Sequence, residues 1–435
     1  MRIPTPTHTL AILGTISLTA HASSASPNTT TTTTTSTNNT NTPMTCQEIL
    51  IPVSATADNI LLPDGLDWRT ATDAVLQGNV TGSTMARTRV GGEYVIAGRY
   101  CEPVGVVDEG DGDAQQRKKR AETLQVLVHG ATYTKDYWSG LAPPLNPNTP
   151  FAQAKYSYIH AAAHAAFPTL SLDRLCNGAS THANALLECQ IPLQAATIAQ
   201  ILASARRGTL PISAAQSPNS NQAQPHHRRQ TQTQTRTFTS LILTCHSLGS
   251  LICNALSATY PSAADALVLT GYTPFLAAGL SGIATHPLFL PAPDKPLGYL
   301  SATREAGAEY LFYATSYDRV VSHYDFTHRG SVTVGEIASV GLGQVDAGGF
   351  RGAVLVLNGD EDAVFCQRVG VVGPVFMARG ECEKGGFSEA VRGLYGGARA
   401  FAVVNLGGTG HCVNNHYTAE EAFARVNGWL GEVGF

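Results

Sequence analysis

The segment Thr244-Cys245-His246-Ser247-Leu248-Gly249-Ser250 stands between an apolar run and a helical stretch. A serine on a sharp strand-to-helix turn presents its Oγ outward, but the strained backbone there needs small neighbours two residues to either side. Gly249 meets that need, and Cys245 is near the largest side chain the place tolerates. By itself the heptapeptide also reads as a serine opening an ordinary helix. Three other strand ends separate the readings. Val126-Leu127-Val128-His129-Gly130-Ala131 closes an apolar run with His-Gly, a turn that lets the backbone N–H groups of Ala131 and Leu248 converge on one carbonyl oxygen. Val354-Leu355-Val356-Leu357-Asn358-Gly359 is followed by Asp360, Glu361 and Asp362, and Asn405 to Gly410 is a strand and glycine loop ending at His411. Serine, acid and histidine in that order, each after a strand, suit acyl transfer. The histidine takes the serine proton, the acid holds the imidazole, and the two amides stabilise the oxyanion. Such chemistry needs no metal or organic cofactor.

These residues must be carried by a particular frame. Residues 46–53 and 91–101 alternate as strands, whereas 124–128, 238–244, 267–270, 354–357 and 401–404 are short apolar runs of the kind buried on both faces of a parallel sheet. Helical stretches at 157–166, 190–205, 248–258 and 418–430 alternate with them, and 169–173 is a further strand. The expected fold class is therefore α/β, a mostly parallel sheet with helices on both faces. Residues 108–121 read as a polar loop whose Arg117-Lys118-Lys119-Arg120 run is either solvated or a dibasic processing site. Residues 206–237 are basic, polar and without aromatics, the composition of a disordered surface insertion.

On these elements the chain resembles an α/β-hydrolase, specifically a secreted fungal-type member, over residues 90–435 with the insertion excluded. The resemblance is carried by His-Gly-Ala-Thr-Tyr at 129–133, Asp173-Arg174-Leu175-Cys176-Asn177-Gly178, the turn at Ser247, Gly-x-x-Asp at 359–362 and Gly-His at 410–411. It implies Ser247 as nucleophile, His411 as base and Asp362, three residues after the glycine, as the acid. Asp360, directly after Gly359, is then left to bond turn amides. The resemblance also implies a cap at 274–350 inserted between strands. Cys245 and Cys176 depart from it, each standing where glycine is commoner.

Other residues have competing readings. His160 and His164 share a helix face, but no glutamate follows His160 as a zinc-protease helix requires. His416 reads as a neighbour of the catalytic loop or a surface residue. Asp173 and Arg174 are either substrate ligands or a structural ion pair. Tyr299, Tyr310, Phe312, Tyr313, Tyr317 and Tyr324 either line an acyl pocket or form core.

Composition and targeting complete the reading. Only 14% of the residues are charged, against about 25% in an ordinary soluble domain. A net charge of −4 gives no global field toward nucleic acid, and no run reaches the ~20 apolar residues of a membrane span. Arg2, the apolar stretch Leu10 to Ala20 and Ala20-His21-Ala22 form a secretory signal peptide over residues 1–22. A Thr/Ser-rich linker follows at 23–43, and a single hydrolase domain at 44–435. Asn28, Asn38 and Asn79 lie in glycosylation sequons. Nine cysteines in an oxidising compartment suggest Cys46–Cys101, Cys176–Cys189 and Cys366–Cys382 by locality, leaving Cys245, Cys253 and Cys412 reduced. The expected activity is a secreted serine esterase acting on a small-molecule or lipid-like ester. Its rivals are a lactone or amide hydrolase, an acyltransferase of secondary metabolism, and a non-catalytic binding protein on the same fold. Epoxide hydrolysis needs an aspartate where Ser247 stands.

Overall fold

The computed structural model describes residues 44–62, 86–104, 114–212, 236–275, 289–366 and 380–435. The signal peptide, the linker, the three sequons and residues 213–235 of the insertion lie outside the described residues.

In chain order the elements are β1 (Met44–Ile60), β2 (Arg87–Pro103), α1 (Ala114–Ala121), β3 (Thr123–Val128), α2 (Tyr158–His164), β4 (Thr169–Leu172), α3 (Ile191–Arg207), β5 (Ser240–His246), α4 (Leu248–Thr259) and β6 (Ala266–Thr270). Then come β7 (Phe289–Pro291), β8 (Tyr299–Ala302), α5 (Glu305–Phe312), α6 (Arg319–Thr327), β9 (Ser331–Thr333) and α7 (Val334–Ala338). The chain closes with β10 (Ala353–Gly359), β11 (Ala400–Leu406) and α8 (Ala419–Glu432).

Eight strands form one sheet in the order β1-β2-β4-β3-β5-β6-β10-β11. β2 runs antiparallel to β1 and to β4, and all other neighbours are parallel. The sequence explains the difference. Every residue of β3 and β10 is buried, as continuous apolar runs covered on both faces must be. β1 instead alternates, with Ile49, Ile51, Val53, Ala55 and Ala57 inward and their neighbours exposed, so only one of its faces is covered. α3 packs with α4 and β1, while α2 packs with α8, giving helices in two groups around the sheet. This is the α/β-hydrolase fold. β7, β8 and β9 make a separate three-stranded antiparallel sheet within the stretch inserted between β6 and β10.

Two expectations need correction. Cys245 and Cys253 are not reduced: they form a fourth disulfide beside Cys46–Cys101, Cys176–Cys189 and Cys366–Cys382. Only Cys412 is free, and it is buried. The pair is the most local of the four, eight residues apart, but its cysteines lie on a strand and on the helix after it, and only the folded turn between them turns the two thiols toward each other. The basic run Arg117 to Arg120 is helical and not a loop. α1 is built from alanine, glutamine, lysine and arginine, all good helix formers, and its cations fall at the C-terminal end where the helix dipole favours them. Arg120 is anchored over the Phe167 ring at 5.3 Å.

The inserted stretch is tied to the main sheet by a buried charge network. Arg174, just past β4, pairs with Glu336 of α7, and both side chains are fully buried. Gln194 Oε1 accepts from Arg174 at 2.6 Å, and Gln194 Nε2 donates to Glu336 at 2.9 Å. A buried pair adds little net stability over an apolar pair, but removing one partner strands the other charge. Glu336→Leu is therefore expected to cost about 3–5 kcal/mol of unfolding free energy. Urea denaturation checks it, and a loss below about 1 kcal/mol would show that Arg174 finds another counter-charge.

Candidate active site

Ser247 sits between β5 and α4 at φ 54°, ψ −121°, outside the regions ordinarily open to a residue with a Cβ. That conformation costs on the order of 1–3 kcal/mol and persists only where the surroundings over-determine it. They do. Ser247 N–H donates to Thr270 O at 2.9 Å, and Ser250 Oγ donates to the same carbonyl at 3.0 Å. A side chain at Gly249 would collide with the carbonyl oxygens of Val128 and His129, so the residue two past the serine has to be glycine. A Cβ at Gly130 would lie 2.9 Å from Ser247 Cβ, which brings the turn carrying Ala131 directly against the serine. Leu248, the other expected oxyanion amide, is the first residue of α4.

The loops after β10 and β11 supply the acid and the histidine. His411 Nε2 lies 2.7 Å from Ser247 Oγ, and His411 Nδ1 lies 2.8 Å from Asp362 Oδ2. Asp362 is fully buried, and its second oxygen accepts the N–H groups of Val364 at 2.7 Å and Phe365 at 3.0 Å. Asp360 instead accepts the Glu383 N–H at 2.8 Å and stays away from the histidine. The Cys366–Cys382 bond closes the chain immediately beyond this acid loop.

Several side chains around the three carry little signal in the sequence. Gly271, at φ 54°, passes so close to His411 that a Cβ would lie 2.8 Å from the ring. Phe365 and Phe312 pack their rings 5.7 Å and 5.8 Å from His411. His246 lies between the loops, its ring 4.8 Å from His411 and stacked on Tyr137 at 4.5 Å. Thr270 donates its hydroxyl to Cys245 O and faces His246 Nδ1 at 3.1 Å. Only tertiary proximity gives the Thr270-Gly271 turn its place, because nothing in its local sequence marks it.

The remaining expectations sort by contact. His416 is fully buried, not at the surface, and its Nε2 accepts from Gly410 N–H at 3.0 Å and Ala314 N–H at 3.1 Å. It therefore braces the loop that carries His411. Asp173 and Arg174 do not pair with each other: Asp173 bonds Lys135 Nζ at 2.8 Å, and Arg174 faces Glu336 and the Gly130 carbonyl. Cys176 takes φ 72°, the left-handed conformation in which glycine is commoner. His160 and His164 touch each other, with no third metal-binding group beside them among the described residues. Of the six aromatics Phe312 reaches His411. Tyr313, Tyr299 and Tyr317 spend their hydroxyls on Asp325, Ala183 O and Glu309, while Tyr324 stacks on His328.

No protein-family model matches the chain, and no curated protein matches it. Among solved structures it is similar to a thermophilic esterase from Thermogutta terrifontis with malate bound (14% identity, 79% of this chain and 96% of that one, TM-score 0.44). An alpha/beta hydrolase fold protein from Chitinophaga pinensis aligns at 9% identity over 78% of this chain and 94% of its own, TM-score 0.46. A bromoperoxidase from Bacillus anthracis aligns at 13% identity over 77% and 95%, TM-score 0.45.

Three buried histidines around the site give it a pH signature. Burial holds His129 down to about 3, His416 down to about 4 and His246 well below the usual range. In the unfolded chain each takes a proton near 6.5, so the unfolded state binds more protons between about pH 6.5 and 4. Stability is then full above pH 7 and falls on acidification, by up to ~1.4 kcal/mol per pH unit for each histidine. His416→Gln keeps an acceptor for the two amides and removes one titrating group. Urea unfolding between pH 5 and 7 is expected to show its slope flattened by about one proton; an unchanged slope would mean that His416 titrates normally.

Proposed function

We propose that the protein is a secreted serine hydrolase that cleaves a carboxylic ester through an acyl-enzyme. One observation carries the reading: Ser247 Oγ, His411 and Asp362 form a continuous hydrogen-bonded line at the carboxyl ends of the parallel strands β5, β10 and β11, with β6 between the first two. In this reading His411 Nε2 accepts the Ser247 proton as Oγ attacks the ester carbonyl, and its Nδ1–H donates to Asp362. Asp362 keeps the imidazole in the required tautomer and stabilises the cation that forms. The amides of Ala131 and Leu248 receive the developing oxyanion, and water later attacks the acyl-enzyme with His411 as base.

The inserted stretch acts in this reading as the cap. Ser247 is only 8% exposed and His411 1%, so a substrate meets the serine after the cover over it shifts. Four disulfides favour an oxidising compartment. Among the described residues no helix is long and apolar enough to cross a membrane.

A fluorophosphonate probe is expected to label the protein at Ser247, and Ser247→Ala to abolish labelling and lower kcat by roughly 10⁶-fold. A loss under tenfold would sink the assignment, and an unlabelled wild type would favour a binding protein. Asp362→Asn is expected to cost about 10⁴-fold in kcat. Asp360→Asn, which keeps a side-chain oxygen to accept the Glu383 N–H, should cost under about tenfold. The reverse ranking would exchange their roles. p-Nitrophenyl esters of increasing acyl length, assayed beside lactones and amides, identify the bond cleaved.

A further inference from the structure

Cys245 stands two residues before Ser247, where the turn asks for its smallest side chain, and its sulfur is bonded to Cys253 in α4. The bond spans eight residues of chain and encloses the entire turn: the end of β5, Ser247 and the first turns of α4. The hydrogen bonds that hold Ser247 in its unfavourable conformation work differently. Ser247 N–H and Ser250 Oγ both reach sideways to Thr270 O in β6, and the Thr270 hydroxyl reaches back to Cys245 O at 3.1 Å. They fix the turn against the neighbouring strand. None of them joins β5 to α4 directly, since Thr270 of β6 stands between the two. The disulfide does, across 6.7 Å between Cα atoms.

We propose that the Cys245–Cys253 disulfide is a positioning element for Ser247. It sets the angle at which β5 enters and α4 leaves the turn, and so keeps Oγ within 2.7 Å of His411 Nε2. The inference rests on the reading of Ser247 as the nucleophile. It also accounts for a side chain larger than glycine at this position, since Cys245 fills the space as half of a brace. Both cysteines are fully buried, so the bond has to form before or during folding and is out of reach of reductant afterwards. The brace is permanent, and a chain folded under reducing conditions keeps the sheet but carries a slack turn.

The comparison is between two disulfide-deleted variants of the full chain, Cys245→Ala/Cys253→Ala and Cys46→Ala/Cys101→Ala. The second pair joins β1 to β2, which lie four and three places from β5 in the sheet order. kcat, KM, the rate of fluorophosphonate labelling and Tm are measured for both, the first three well below either Tm. Misplacing a reacting group by about 1 Å can cost about 10²-fold. The Cys245/Cys253 variant is therefore expected to lose roughly 10- to 100-fold in both kcat and labelling rate, with KM within about twofold. The Cys46/Cys101 variant is expected to lose only Tm. Equal losses in the two variants, or less than a twofold loss in the first, overturn the proposal. If the double alanine does not fold, Cys245→Val/Cys253→Ala refills the space; failure of both to fold makes the bond a requirement of the fold and also overturns it. A wild-type protein that the probe does not label overturns the underlying hydrolase reading instead.

Discussion

The backbone at Ser247 is the constraint on which the site depends. A serine at φ 54°, ψ −121° is unfavourable by itself, and it is kept there because β5 must stop, turn sharply and start α4 without room for another residue. Everything packed against it is shaped by that requirement. Gly249 is small because Val128 and His129 present their carbonyls to it, and Gly130 is small because Ser247 lies on it. Thr270 accepts from the serine amide and reaches Cys245 with its own hydroxyl, which makes the end of β6 part of the same turn. The reward is an Oγ that stands clear of its own backbone, facing a histidine.

Around that serine the protein spends its burial on holding loops still. His129 donates to Gly130 O and accepts from the Arg174 amide, so the loop before Ala131 is fixed from within the core. His416 does the same for the loop of His411, and Asp362 is held by two amides of its own loop as well as by the histidine. Each of these buried groups is neutral or fully bonded, as a water-poor environment demands. The Arg174–Glu336 pair carries the same logic outward, joining the loop of Gly130 through its carbonyl to the inserted stretch. The inserted stretch and the turn packed against Ser247 are thus linked through one buried cation.

Arg329 makes a second connection of this kind. It pairs with Asp325, donates to Thr132 Oγ1 at 3.1 Å and to Tyr133 Oη at 2.7 Å, and lies over the Phe312 ring at 4.2 Å. Gly330 N–H donates to Thr132 O at 2.8 Å. Thr132, Tyr133 and the aromatic ring beside His411 therefore share one cation from the inserted stretch. A site assembled from distant loops depends on such ties, because loops alone have too little buried area to hold sub-ångström geometry.

Much of this was legible in the sequence. The apolar runs at 124–128 and 354–357 read as buried parallel strands, since neither alternates to offer a polar face to water. The residues at their ends have the types and order that acyl transfer uses, and three of the four disulfides were expected from locality. The rest needed the tertiary structure. Choosing Asp362 over Asp360 from geometry is a matter of which carboxylate reaches across from β10 to the loop after β11, a distance that no local pattern encodes. The Cys245–Cys253 bond appears only when strand and helix fold back on the turn between them. The helix at 114–121 was hidden because polar helix formers carry no hydrophobic period when the helix buries none of its residues. Local sequence determined which groups could do chemistry; only packing between segments remote in the chain decided which of them meet.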